Sequence, residues 1–137
     1  MNRQEAIKLL ALIKVAYPST YKDMDNTSKN ATVNMWQSTF SDVPYVIMEL
    51  AFDHFRRVSK FAPTPADMFD ELKTLYYRAV GDAMIIPNDD NRKKQIQYVI
   101  DNTSRFRGTI THRINYSVIS DKLLGTGTEQ KYLSEGK

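Results

Sequence analysis

The chain of 137 residues contains no cysteine and only two histidines, His54 and His112. Without thiols it has no disulfide scaffold, no cysteine-based zinc site and no thiol nucleophile. The two histidines are far apart in sequence, which argues against a histidine-rich metal site. We therefore expect a protein without a metal or any other cofactor, and at this length a single domain can bury enough surface to fold without one.

Motifs of catalysis are also missing. The closest glycines, Gly125 and Gly127, lack the lysine and the following helix of a phosphate-binding loop. No nucleophile elbow, zinc-protease or EF-hand pattern is present. No run approaches the ~20 apolar residues of a membrane span, and no cleavage site follows the apolar run 6–16. We predict a non-enzymatic protein of the cytoplasm that does not contact membranes.

Glycine is absent before Gly81, and all five glycines lie from there onward. A stretch of 80 residues without glycine, marked by prolines, predicts helices joined by short turns. We predict an all-α fold: a compact N-terminal bundle of about four helices, with a less regular and partly flexible C-terminal region. The predicted parts are a helical domain 1–80, a basic interaction region 81–124 and a flexible tail 125–137.

The first two helices are separated by a polar segment. Asn2 and Glu5 have the spacing of a capping box, and the apolar residues that follow repeat at helical intervals up to Pro18, which ends the helix. Residues 18–30 are predicted as a loop. The second helix is then expected from about residue 31 to 40, with Trp36 as its core anchor.

Prolines mark the next two starts. Residues 41–44 predict that a third helix begins with Pro44 in its first turn and runs to about residue 59. Its apolar stripe is Val43, Ile47, Leu50, Ala51 and Val58, widened by Phe52 and Phe55.

The fourth helix carries the strongest local signal, a Thr64 cap followed by Pro65 and Asp67. The acids Asp67, Asp70 and Glu71 are interpreted as a solvated helix start, and His54 as a partly buried core residue.

Beyond Gly81, residues 87–90 form a turn able to cap a helix over 91–102. Partial alternation over 105–116 favours an extended conformation, and 117–124 a further helical piece.

Residues 92–116 carry six cations and one acid, a net charge of +5, although the whole chain is only +3. Such a segment has three interpretations. It binds nucleic acid through phosphates and base stacking, it binds a protein partner through arginine and tyrosine, or it is an ordinary solvated segment. We favour a protein partner. The predicted contact residues are Arg92, Lys93, Lys94, Tyr98, Arg105, Phe106 and Arg107.

Three blocks of the first 79 residues resemble the small helicase loader/inhibitor proteins of phages of Gram-positive bacteria. They are RQEAIKLLALIKVAYP, TVNMWQSTFSDVPYVIMELAFDHF and KFAPTPADMFDEL. In that family a first helix ends in a Tyr-Pro pair, a tryptophan-bearing helix follows, and a Phe-x-Pro-Thr segment opens another. The corresponding residues here are Tyr17-Pro18, Trp36, and Phe61 with Pro63-Thr64.

The resemblance implies a DNA-replication accessory protein without enzymatic activity. Such proteins bind the hexameric replicative helicase, keep it inactive and deliver it to an origin-bound initiator protein, with the C-terminal region making the helicase contact. DNA contact would be secondary. Two alternatives remain: a small DNA-binding or repressor-modulating phage protein that uses the basic segment, and an inhibitor of another host or mobile-element factor.

Overall fold

The structure, a computed structural model, describes residues 1–85 and 89–108, and this part of the chain is entirely helical. The predicted all-α class is confirmed. The helices are α1 (Arg3–Ala16), α2 (Asn26–Thr39), α3 (Tyr45–Val58), α4 (Pro65–Ile85) and α5 (Asp90–Thr103), and a 3₁₀ turn (Ser104–Phe106) follows.

Two predicted capping boxes are present. In α1, the Asn2 side chain accepts from the Glu5 backbone N–H, and the Glu5 carboxylate accepts from the Asn2 N–H. In α4, Thr64 and Asp67 exchange the same pair of bonds, at 2.9 and 3.2 Å. Each box satisfies backbone donors that a helix start leaves unpaired. Asp89 caps α5 by accepting from the Arg92 N–H, inside the predicted turn.

Two predicted helix starts are wrong. Helix α2 begins at Asn26, five residues before the prediction, because Asp25 caps it by accepting from the Ser28 N–H. The polar residues at the start of α2 were interpreted as loop because they bury little. In α3, Pro44 is itself the N-cap and makes no side-chain capping bond, so it does not lie within the first turn.

The core is one apolar cluster to which α1, α2, α3 and α4 contribute, and Trp36 lies in it at 1% exposure, as predicted. Its aromatic residues form a chain in which Trp36 contacts Phe40 and Phe40 contacts Phe69, with ring centroids 5.7 and 5.3 Å apart. The α3 stripe is only partly as predicted. Leu50 and Val58 are 46% and 65% exposed, respectively.

The N-terminal amino group ties α1 to the turn between α2 and α3. It donates to the carbonyl oxygens of Phe40, Ser41 and Val43 at 3.1, 3.2 and 2.6 Å. Met1 itself is 7% exposed. These bonds satisfy carbonyl groups at and beyond the end of α2, which has no further turn to accept them.

The chain beyond residue 80 joins the same core. Helix α4 continues through Gly81 to Ile85, and α5 packs against α4. Phe106 has no exposed surface, and its ring lies 5.5 Å from that of Phe69. The extended conformation predicted from residue 105 is therefore wrong at its start. Residues 109–116, the helical piece predicted over 117–124 and the tail 125–137 lie outside the described residues. The division into 1–80 and 81–124 stays a prediction.

Candidate partner-binding surface

The first turns of α5 carry an exposed basic cluster, Arg92, Lys93 and Lys94. The N-terminus of a helix is its positive end, where cations are unfavourable. Asp89 as the cap and Asp90 in the first turn offset this charge. The three cations are thus placed where they do not help the helix, which is typical of residues kept for an interaction.

Arg105 holds the 3₁₀ turn against the start of α3. Its guanidinium binds Asp42 through two bonds, Nε to Oδ2 at 2.6 Å and a terminal nitrogen to Oδ1 at 2.9 Å. The same guanidinium lies over the Phe106 ring, 4.0 Å from its centroid. Both partners of the ion pair are about half exposed, so it orients the turn more than it stabilises the fold.

The other two predicted contact residues of this turn differ from one another. Phe106 is fully buried and offers no surface to a partner in this conformation, because its ring extends the aromatic chain of the core. Arg107 is exposed, and its carbonyl oxygen accepts from the Tyr77 hydroxyl at 3.0 Å. Arg113 and Tyr116 of the basic segment lie outside the described residues.

Lys94 and Tyr98 line a groove of about 570 Å³ between α3, α4 and α5. Its other wall residues come from helices that the sequence analysis assigned to the core. Among them are Val46, Leu50, Leu75, Arg78, Ala79, Asp82 and Val99. Sequence reasoning missed this groove, although Val46 and Leu50 carry a signal: they are four residues apart on α3 and lie beside its buried stripe.

His54 and Glu71 form a hydrogen-bonded ion pair between α3 and α4, with Nδ1 2.6 Å from Oε1. Asp70 and Glu71 are only 6% and 5% exposed, so their interpretation as a solvated helix start is wrong. Asp67, by contrast, is the capping residue described above. The arrangement fits a structural link between two helices, because a buried carboxylate needs donors.

Neither a metal site nor a membrane span is found in the part of the chain that the structure describes. Across residues 1–85 and 89–108, no three histidine or acidic residues come close enough to hold an ion. None of the helices in these ranges is both long and apolar enough to cross a membrane.

Comparison with known proteins adds the family. The family model for the N-terminal domain of a phage helicase loader/inhibitor protein matches residues 1–69. The chain belongs to this family. Searches of curated proteins and of solved structures gave no match.

The match to the loader/inhibitor family confirms the resemblance inferred from the N-terminal motifs. It covers α1, α2, α3 and the first turn of α4, ending at Phe69. The basic cluster, Tyr98 and most of the α4 side of the groove lie beyond it. Membership therefore identifies this chain as an accessory protein of phage replication, and the assignment of its contact surface depends on the geometry described above.

Proposed function

We propose that this protein binds the hexameric replicative helicase stoichiometrically, holds it inactive and delivers it to an origin-bound initiator protein. The match of residues 1–69 to the loader/inhibitor family carries this proposal. Any ATP hydrolysis in the complex belongs to the helicase, because the chain contains no phosphate-binding loop. The place of action is the cytoplasm of the bacterial host.

The exposed members of the predicted contact set support a binding surface on α5. Arg92, Lys93 and Lys94 are exposed, and Tyr98 is 45% exposed. Arginine and tyrosine are enriched among residues that dominate protein interfaces. Arg105 and Arg107 lie at the exposed far end of the same segment, whereas Phe106 supports it from the core.

Charge reversal on α5 tests this surface. The triple variant Arg92→Glu/Lys93→Glu/Lys94→Glu should weaken co-elution with the purified helicase and restore its ATPase activity. The control reverses three cations elsewhere, Lys8, Lys22 and Lys29, all exposed and remote in sequence from α5. Equal helicase binding by both triple variants would show that the basic cluster is not the contact.

Truncation at Gly81 is a poorer test than these substitutions. It shortens α4, removes α5 and takes Phe106 out of the core. Loss of helicase binding by the truncated chain would then combine a missing contact with a damaged fold.

The second candidate function is direct DNA binding by the same surface. Three adjacent exposed cations favour it, since each phosphate contact adds affinity and salt dependence. It predicts that the protein alone retards a DNA duplex at low salt and releases it as the salt rises. If no shift occurs at low salt, this candidate is removed.

A further inference from the structure

Helix α3 exposes two apolar residues beside its buried stripe. Val46 and Leu50 are 47% and 46% exposed, whereas the neighbouring Ile47 and Ala51 have no exposed surface. The first pair therefore lies outside the core contacts and faces the groove that α3 forms with α4 and α5. A half-exposed apolar pair at a spacing of four residues is a surface that a helix can cover.

The groove combines an apolar interior with a charged rim. Leu75 and Ala79 of α4 and Val99 of α5 line it together with the two α3 residues. At the rim are two cations, Arg78 and Lys94, and one acid, Asp82. Lys93 and Arg92 adjoin Lys94 on α5, so the positive charge continues outward from this edge.

We infer that the groove binds an amphipathic helix of the partner protein, whose apolar stripe is flanked by acidic residues. The inference rests on the proposed function and names the recognition element of that partner. Helix-in-groove recognition uses anchors spaced three and four residues apart that enter an apolar groove, as the interior here allows. Acidic flanks complement the net positive rim and speed the encounter.

The same rim argues against a second copy of this chain as the occupant. In a two-fold dimer the same patch contacts itself. Arg78 and Lys94 would then face the same two cations of the other copy, and like charges across an interface are costly. An acid-flanked helix meets no such repulsion.

Affinity for the purified helicase, measured by fluorescence anisotropy, tests the groove with two matched pairs of variants. Leu50→Asp is paired with Met35→Asp, because Met35 is 47% exposed and lies on α2 outside the groove. Lys94→Glu is paired with Lys22→Glu. We expect each groove variant to weaken binding by at least about tenfold, the effect of losing one interface anchor. Each control should stay within about twofold of the unmodified chain. Thermal unfolding by circular dichroism checks that all four variants fold.

The absence of cysteine makes a second measurement direct. Leu50→Cys and Met35→Cys each create a unique attachment site for a thiol-linked photo-crosslinker. In the helicase complex, the probe at position 50 should capture a helicase peptide that is amphipathic and acidic, and the probe at position 35 should not. Capture of a second copy of this chain, of its own residues 109–137 or of added DNA at position 50 would overturn the inference.

The outcomes separate the inference from the function on which it rests. If the unmodified chain fails to bind the helicase, the proposed function fails and the inference falls with it. If the unmodified chain binds but the groove variants bind as well as their controls, the function stands and the groove inference is overturned.

Discussion

The Phe106 ring packs against Phe69, with centroids 5.5 Å apart, and so joins the end of the described chain to the first turn of α4. Phe69 lies at the end of the family match, and Phe106 lies 37 residues beyond it. The contact makes the segment after α5 part of the same hydrophobic core as Trp36 and Phe40. The surface proposed for the partner is thereby held by core packing.

Removal of this ring should be costly. Phe106→Ala is expected to lower the free energy of unfolding by about 3–5 kcal/mol, because it deletes a fully buried aromatic side chain. Urea denaturation followed by circular dichroism measures the change. Phe61→Ala is the control: Phe61 is 81% exposed, and its loss should change stability by less than about 0.5 kcal/mol. Equal effects would contradict the packing of Phe106 in the core.

The ion pair between His54 and Glu71 should also contribute to stability. His54→Ala is expected to cost about 1–3 kcal/mol, because the buried Glu71 carboxylate loses this hydrogen-bond donor. His54→Gln, whose amide can donate in place of the imidazole, should recover part of the loss in the same denaturation measurement.

A surface ion pair on the same helix provides the comparison for His54. Asp53 pairs with Arg56 and Arg57 on exposed α3 surface. Asp53→Ala should therefore cost no more than about 1 kcal/mol. If the His54 and Asp53 variants lose the same stability, burial of Glu71 does not strengthen its pairing.

Gly81 lies inside α4 and is a site where stability can be gained. A Cβ added there meets no atom within 4 Å. Gly81→Ala should raise the free energy of unfolding by about 0.5–1 kcal/mol, since alanine loses less backbone entropy in a helix than glycine does. Thermal unfolding measures the gain. A decrease in stability would show that α4 does not continue through this residue.

The cap of α2 predicts a pH dependence. The Ser28 backbone N–H, 2.7 Å from Oδ1, lowers the pKa of Asp25 below its ordinary value of 3.8. A lowered pKa in the folded state means that the stabilisation is complete above the unfolded value and is lost as the pH falls through the folded value. NMR titration of the Asp25 carboxyl should give a midpoint below 3.8. Asp25→Asn, which caps without an ionisable group, should remove this part of the acid sensitivity.

Local signals in the sequence were sufficient for much of the fold. The caps at Asn2 and Thr64 and the apolar periodicity predicted α1 and α4, because these features act within a few residues of each other. The start of α2 was missed since its first turns are polar and bury almost nothing. For such a segment, the helix depends on the Asp25 cap rather than on a hydrophobic face.

The candidate site was harder to predict, because it depends on contacts between distant residues. Lys94 and Tyr98 were identified from local charge and aromatic content. Val46 and Leu50 were not, since an apolar residue beside a helix stripe looks like core until neighbouring helices are placed. For the same reason Phe106 was assigned to the surface: nothing near it in sequence indicates that Phe69 covers its ring.

Binding of the unmodified protein to its partner tests the central claim most directly. The full chain is mixed with the purified hexameric helicase of the host and separated by size-exclusion chromatography with light scattering, and the helicase ATPase rate is measured in parallel. The account predicts one complex of defined stoichiometry, heavier than the hexamer alone, with a suppressed ATPase rate. Separate elution of the two proteins together with an unchanged ATPase rate would contradict it.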